Sequence, residues 1–271
     1  MSDRPGFSTR AIHAGQEPDP TTGAVIPPIV ASSTFAQDGV GGLRNGYEYS
    51  RSANPTRTAL EECLAALEGG SRAFAFASGL ASEDTLIRTI AKPGAHLVLP
   101  HDAYGGSFRL FARAYQPWGL VTDPVDLTDL AAVEASIRPG ETVAVWVETP
   151  TNPLMAVADI AAIAEIAHAL GALVIVDNTF ASPYLQQPLE LGADVVMHST
   201  TKYCGGHSDV VGGALVVADP TLAEKVAGYL AEHPGVSEVY YPGLESHAQH
   251  DVAKRQMRRF GGMVSFRVRA G

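Results

Sequence analysis

The sequence predicts an α/β protein built on a mostly parallel sheet with helices on both faces. Short apolar runs rich in β-branched residues alternate with amphipathic helical stretches from Arg72 to Ala218. The runs are apolar throughout, as strands buried on both faces are. Polar or aromatic residues follow the ends of five of them, and in such sheets ligands sit beyond the carboxyl ends of the strands.

Residues 1–48 are rich in Gly, Pro, Thr and Asp with little periodicity, which fits either a disordered segment or an arm lying on a neighbour. The spacing predicts a helix over Thr58–Leu67, with Thr58 and Glu61 as a capping box, Leu60, Leu64 and Leu67 as a core stripe, and Gly69-Gly70 as its end. Strands are predicted at Arg72–Ala77, His96–Leu99, Thr142–Val147, Leu173–Val176, Val195–His198 and Gly213–Ala218. Helices are predicted at Leu80–Ala91, Ser107–Tyr115, Leu127–Ile137 (started by Asp126) and Asp159–Leu170 (closed by Gly171). This divides the chain into an arm at 1–48, a large domain at 49–226 and a partial domain at 227–271.

A chain of 271 residues with 46% hydrophobic residues can bury a full core. A formal net charge of −10 argues against nucleic acid and anionic membrane as partners. The cysteines, Cys63 and Cys204, lie far apart in sequence and match no metal spacing, which suggests a reducing compartment. With no apolar signal core at the start and no run long enough to span a bilayer, a cytoplasmic protein is expected. A P-loop, a His-Glu-x-x-His metal motif and a dinucleotide fingerprint are all missing, and Gly206-His207-Ser208-Asp209-Val210 falls one glycine short of a nucleophile elbow.

The strand ends carry the candidate chemistry. Lys202 follows Val195–His198 and is bracketed by Ser199 and Thr201; it reads as a loop lysine or as a Schiff-base lysine whose hydroxyl neighbours suit a phosphate. Asp177 ends an apolar strand, where a carboxylate is costly unless it meets a cation or donors. Ser78-Gly79-Leu80 opens a helix, either as an ordinary N-cap or as an anion seat. Tyr104 fits packing or stacking on a flat ligand. The Glu148-Thr149-Pro150-Thr151-Asn152-Pro153 stretch reads as a rigid turn. Tyr49 and Arg51 fit either an exposed turn or a phosphate clamp.

Asp177 ahead of Lys202, each at a strand end, is the order found in pyridoxal-phosphate enzymes of the aspartate-aminotransferase type. More narrowly, Asp194–Asp209, with Thr9–Gly15, Ile26–Ile29 and Tyr47–Thr56, resembles the cysteine and methionine metabolism family of cystathionine γ-synthases, γ-lyases and their relatives. The resemblance implies an aspartate-aminotransferase-like large domain (fold type I), a smaller α+β C-terminal domain and pyridoxal 5'-phosphate as cofactor. It implies that Lys202 holds the cofactor and moves protons, that Asp177 faces the ring nitrogen and that Tyr104 stacks on the ring and assists proton transfer. Asn152 lies beside the ring oxygen, and Gly79, Leu80, Ser199 and Thr201 bind the phosphate. Tyr49 and Arg51 reach the phosphate of a partner subunit, so a dimer or dimer of dimers with shared sites is expected.

Departures from the pattern are informative. Leu80 stands for a frequent methionine and Ala53 for a usual glycine. Gly106 stands where methionine γ-lyases carry a reactive cysteine, and Cys204, expected to be a small buried hydrophobe, for an aliphatic residue. Pro220–Val226 runs almost directly into Ala227–Pro234, which implies an internal shortening. Tyr241–Leu244 and Gly261–Phe266 match the start of the C-terminal domain, and the family's carboxylate-binding arginine has no counterpart; Arg267 and Arg269 follow no matching motif. The implied activity is replacement of the γ-substituent of an activated homoserine by cysteine, with cystathionine γ-lyase, O-acetylhomoserine sulfhydrylase and a cofactor-binding but inert relative as alternatives.

Overall fold

A computed structural model describes residues 4–231, 236–240 and 265–268. The chain divides into two compact units, Met1–Val226 and Ala227–Gly271. The first is organised on seven strands: β1 (Arg72–Phe76), β2 (His96–Pro100), β3 (Val121–Val125), β4 (Thr142–Glu148), β5 (Leu173–Asp177), β6 (Val195–His198) and β7 (Gly213–Val217). Their spatial order is β1-β7-β6-β5-β4-β2-β3. The pairs β2/β3, β2/β4, β4/β5 and β5/β6 are parallel, whereas β7 runs antiparallel to β6 and β1. Strands β1 to β6 therefore point one way, and their carboxyl ends share one edge.

The helices are α1 (Phe7–His13), α2 (Pro55–Glu68), α3 (Gly79–Ile90), α4 (Gly105–Arg109), α5 (Leu130–Ser136), α6 (Ile160–Ala169), α7 (Ser182–Leu185) and α8 (Pro220–Ala231). Strand residues alternate between the two faces. On one face Val145, Val147, Val174 and Val176 pack with Val133, Ile160, Ile163 and Ala167 of α5 and α6. Val196, Ala214 and Val216 pack on the same side with Leu64 of α2. The other face carries Trp146, whose ring meets Phe111 edge-on, with centroids 4.9 Å apart. It also carries Met197, which lies against the start of α3. Leu86 and Ile87 of α3 are fully buried, each contributing about 1.5–3 kcal/mol of apolar burial. In the second unit β8 (Val236–Tyr240) pairs antiparallel with β9 (Ser265–Val268). The Tyr241–Leu244 motif, Gly261–Val264, His233-Pro234 and Arg269 lie outside the described residues.

Several local expectations are corrected. Helix α2 begins earlier than Thr58: Asn54 is its N-cap and accepts the Thr56 N–H, with Pro55 at N1, where a missing N–H costs nothing. Glu61 accepts the Ala75 N–H at 2.9 Å, so it serves β1 and not a capping box. Leu60 is exposed, and the buried face of α2 is completed by Glu68. Asp129, not Asp126, caps α5; Asp126 closes a turn on Thr128. The 107–115 helix starts at Gly105 and widens to a π-helix over Leu110–Ala114. Strand β3 was masked in the sequence by Pro124, which an edge strand tolerates.

Candidate active site

The connection from β1 to α3 is a tight joint. Ser78 caps α3, its Oγ accepting the Ala81 N–H at 3.1 Å. A Cβ on Gly79 would lie 3.0 Å from both Met197 Cε and Ser199 Cβ, and one on Gly213 would lie 2.1 Å from the Ser78 carbonyl oxygen. Glycine at 79 thus lets the N-terminus of α3 close on the residue that follows β6. The first backbone N–H groups of α3, those of Gly79 and Leu80, sit at the positive end of a 12-residue helix.

The β2 and β4 connections are joined by one carboxylate. Glu148 Oε2 accepts the Tyr104 N–H at 2.6 Å, and Oε1 accepts the Asn152 N–H at 2.7 Å. The Tyr104 ring is partly exposed and lies over Gly106, where a Cβ would come within 2.4 Å of Tyr104 Cε1. A side chain at 106 would displace the ring, which gives the glycine there a physical reason.

The β5 and β6 connections are joined through Thr179. Its N–H donates to Asp177 Oδ1 at 2.9 Å, and its Oγ1 accepts the Ser199 N–H at 2.9 Å. Past Ser199 the chain folds back on itself. Gly212 N–H donates to Thr201 Oγ1 at 3.0 Å, and that hydroxyl donates to the Gly212 carbonyl at 3.1 Å. The Thr201 hydroxyl must turn from this partner to donate to a ligand. The Lys202 N–H donates to the Ser199 carbonyl at 3.1 Å, its carbonyl accepts the Gly206 N–H at 2.8 Å, and its side chain is exposed.

Beneath this edge three acids crowd together on the α3 face. Asp177 is buried, and burial raises its pKa; the Thr179 hydrogen bonds and the His198 charge oppose the rise. Glu83, 1% exposed, is pushed up to about 8, chiefly by burial and then by Asp177; its hydrogen bond from Ser107 Oγ (2.8 Å) opposes this and Glu148 adds to it. Glu148 is pushed up to about 7 by burial, with the Tyr104 N–H opposing and Asp177 adding. Glu83 Oε2 is buried with no hydrogen-bond partner. The sequence reading passed over Glu83, although it sits three and four residues before Leu86 and Ile87, on the helix's inward stripe.

A second buried cluster lies on the α2 face. His198 Nε2 contacts Glu68 Oε1 at 2.6 Å, both residues being fully buried. Asn178 Nδ2 donates to the same oxygen at 2.8 Å. Burial works against a charged His198, but hydrogen bonds with Cys204 and Glu68 override it and hold the imidazole's pKa up at about 10. Cys204, expected to be buried, is exposed, in a run of exposed turn residues that begins at Lys202.

Gly79, Leu80, Tyr104, Asn152, Asp177, Ser199, Thr201 and Lys202 thus all lie past strand ends on one edge. Tyr49 and Arg51 lie just past the arm, ahead of α2; the Arg51 guanidinium stands 5.0 Å from the centroid of the Tyr49 ring. No hydrogen bond or ion pair among the described residues joins their side chains to the Lys202 loop. No helix among the described residues is long and apolar enough to cross a membrane, and no group of three His, Cys, Asp or Glu side chains there is placed to hold a metal.

This donor set suits a ligand with an anionic end and a cationic ring nitrogen. Free N–H groups at α3 and nearby hydroxyls meet the first. Asp177, crowded by two further acids, and the unsatisfied oxygen of Glu83 fit the second. Fold and site define a pyridoxal-phosphate enzyme of the aspartate-aminotransferase-like architecture. The family model described as "Cys/Met metabolism PLP-dependent enzyme" matches residues 8–225 and 218–271. A cystathionine gamma-synthase of Mycobacterium tuberculosis is 55% identical over 306 positions, covering 98% of this chain and 79% of its own length. A cystathionine beta-lyase of Coxiella burnetii is 45% identical, covering 97% and 78%. The crystal structure of metB from Corynebacterium glutamicum superposes with a TM-score of 0.82 at 45% identity, covering 97% and 79%. The chain belongs to the Cys/Met metabolism PLP-dependent enzyme family, whose members among these relatives are cystathionine synthases and lyases, and it is an enzyme of sulfur amino acid metabolism. The 306 aligned positions exceed the 271 residues of the chain, and the family model matches in two overlapping pieces. Both features agree with an internal shortening near residues 218–225.

Proposed function

We propose that the chain catalyses a cystathionine γ-synthase-like γ-replacement, joining cysteine to an activated homoserine. The observation that carries the reading is the Asp177–Thr179–Ser199 relay, which ties the acid at the end of β5 to the loop bearing Lys202. Synthases at 49–55% identity among the relatives favour this reaction over the lyases at 45%.

When bound, pyridoxal phosphate supplies an electron sink for charge developing at the substrate's Cα. Lys202 Nζ would hold the cofactor covalently and would be the group that moves the proton at the substrate's Cα. Asp177 keeps a proton on the ring nitrogen. Tyr104 would stack on the ring and assist proton transfer, and Asn152 would donate to the ring oxygen. The Gly79 and Leu80 N–H groups, with Ser199 and Thr201, hold the phosphate. Tyr49 and Arg51 complete the site of a partner subunit in a homo-oligomer.

The test is product formation across candidate substrates. Cystathionine from an activated homoserine and cysteine supports the proposal. Cleavage of cystathionine favours a lyase, and homocysteine formed with sulfide favours a sulfhydrylase. Cofactor fixed on Lys202 by borohydride without turnover of any of these favours the inert relative. No fixation on Lys202 sinks the assignment of that lysine.

A further inference from the structure

Cys204 takes no part in the function proposed above, yet it is an exposed thiol set beside a buried imidazole. Its Sγ lies 3.9 Å from His198 Nδ1. The other ring nitrogen, Nε2, is fixed by Glu68 Oε1 at 2.6 Å. The imidazole is thus oriented from behind by a buried carboxylate, and its free edge faces the sulfur. Glu68 takes a further hydrogen bond from Asn178 on the same oxygen, while its Oε2 is buried without a partner. The sulfur is exposed, the pair behind it fully buried. An oriented base or cation beside an accessible thiol is the arrangement that separates reactive cysteines from inert ones.

We propose that Cys204 is a reactive thiol site for peroxide-class oxidants and soft carbon electrophiles, and that the buried His198–Glu68 pair positions and activates it. With a peroxide, the sulfur attacks one oxygen, an S–O bond forms and the O–O bond breaks. The sulfur is oxidised by two electrons to a sulfenic acid, and the peroxide is reduced. The departing oxygen takes up the thiol proton and leaves as water. His198 meets the negative charge that develops on sulfur during attack with its Nδ1–H. With Nε2 held on the Glu68 carboxylate, Nδ1 is the ring nitrogen left to face the sulfur. Cys63 provides an internal contrast. It is half-buried on α2, and burial first, then the neighbouring Cys204, raises its pKa, which leaves it a poor nucleophile.

The experiment labels the full chain with iodoacetamide, and separately with hydrogen peroxide plus a sulfenic-acid trap, from pH 6 to 10. Rates at Cys204 and Cys63 are read by peptide mass spectrometry, in the native protein and in denaturant. The expected native rate at Cys204 exceeds both its denatured rate and the native rate at Cys63 by about tenfold at pH 7. The native-to-denatured ratio should fall as pH approaches 10, where His198 loses its charge; a purely structural His198 would give no such dependence. Glu68→Gln, folded by circular dichroism, should lower the ratio. A native rate at or below the denatured rate overturns the site, and this arm needs no variant. A folded Glu68→Gln protein with an unchanged ratio and pH profile overturns the role of the pair.

Discussion

Glu148 holds Tyr104 by its backbone and not by its ring: Oε2 accepts the Tyr104 N–H at 2.6 Å while Oε1 accepts that of Asn152 at 2.7 Å. One buried side chain therefore sets the relative position of two loops that each carry a site residue. In Glu148→Gln one acceptor becomes an amide donor facing an N–H. We expect a loss of about 1–3 kcal/mol, the cost of leaving a buried donor unpaired. Cofactor affinity should fall with it, because the Tyr104 loop is no longer fixed. Thermal denaturation and cofactor titration followed by absorbance check both. A variant with parental stability and affinity would mean the two hydrogen bonds carry no weight.

Gly79 is the corresponding joint between α3 and the Lys202 loop. In Gly79→Ala the new methyl meets Met197 Cε and Ser199 Cβ at 3.0 Å and Ser199 Cα at 3.2 Å. The methionine tip can yield, but the Ser199 backbone is held by Thr179 and cannot yield cheaply. The expected outcome is a folded protein destabilised by about 1–3 kcal/mol, as overpacking costs. Its cofactor affinity should be about tenfold lower, since about 1.4 kcal/mol is tenfold. Unchanged affinity would remove the α3 N-terminus from the phosphate site.

Asp177 stands out in the sequence because it ends an apolar run, and Lys202 because it follows one closely; a charged group at such a boundary needs a reason. Strands β2 and β4 to β7 were readable because continuous burial leaves a continuous apolar signature, whereas β3, half-exposed at the sheet edge and interrupted by Pro124, was not. Glu83 and Glu68 were not, because a single acid on an inward helical stripe looks like an interruption of the pattern; only the fold shows what it faces. Asn54 was missed as a cap because Thr58 and Glu61 offered the more familiar spacing, whereas Glu61 had a partner on β1 that lies 14 residues away. Cys204 was misjudged because it lies in an irregular loop, where no apolar periodicity marks which side chains face inward.

The acids fix the sign of a pH effect in the cofactor-free protein. Glu83 moves from about 4.5 unfolded to about 8 folded, and Glu148 to about 7. A raised folded pKa means that the folded state binds more protons between the two values. Stability from these groups is full below about pH 4.5 and is lost as pH rises through 7 and 8. His198, raised from 6.5 to about 10, adds a loss of the same sign at higher pH. Stability should therefore fall between pH 5 and 9, and Glu83→Gln should flatten the part between 5 and 8 by a few kcal/mol. Denaturant unfolding at stepped pH reads this directly. Parallel curves for variant and parent would show that Glu83 ionises normally. Cofactor should restore stability most at alkaline pH, where the acids most need a cation.

The stretch with Tyr49 and Arg51 raises the question of whether one chain holds a whole site. Arg51 stands over the Tyr49 ring, and Tyr49 is 40% exposed, so neither is committed to the Lys202 edge of its own chain. If they serve a partner subunit, Lys202→Ala and Arg51→Ala damage different halves of a shared site. Co-expressed, the two variants form mixed dimers in which one site has both intact groups and the other has neither. Random pairing then restores about a quarter of the parental sites, under a two-fold arrangement. Borohydride fixation of cofactor, counted per chain by mass, measures this without relying on turnover. It should appear on the Arg51→Ala chain only when Lys202→Ala is present, at the cofactor concentration where Arg51→Ala alone binds weakly. Restoration to that level requires Arg51 to act across subunits. Its absence, with mixed dimers shown to be present, would place each site within a single chain and leave Tyr49 and Arg51 without a role in it.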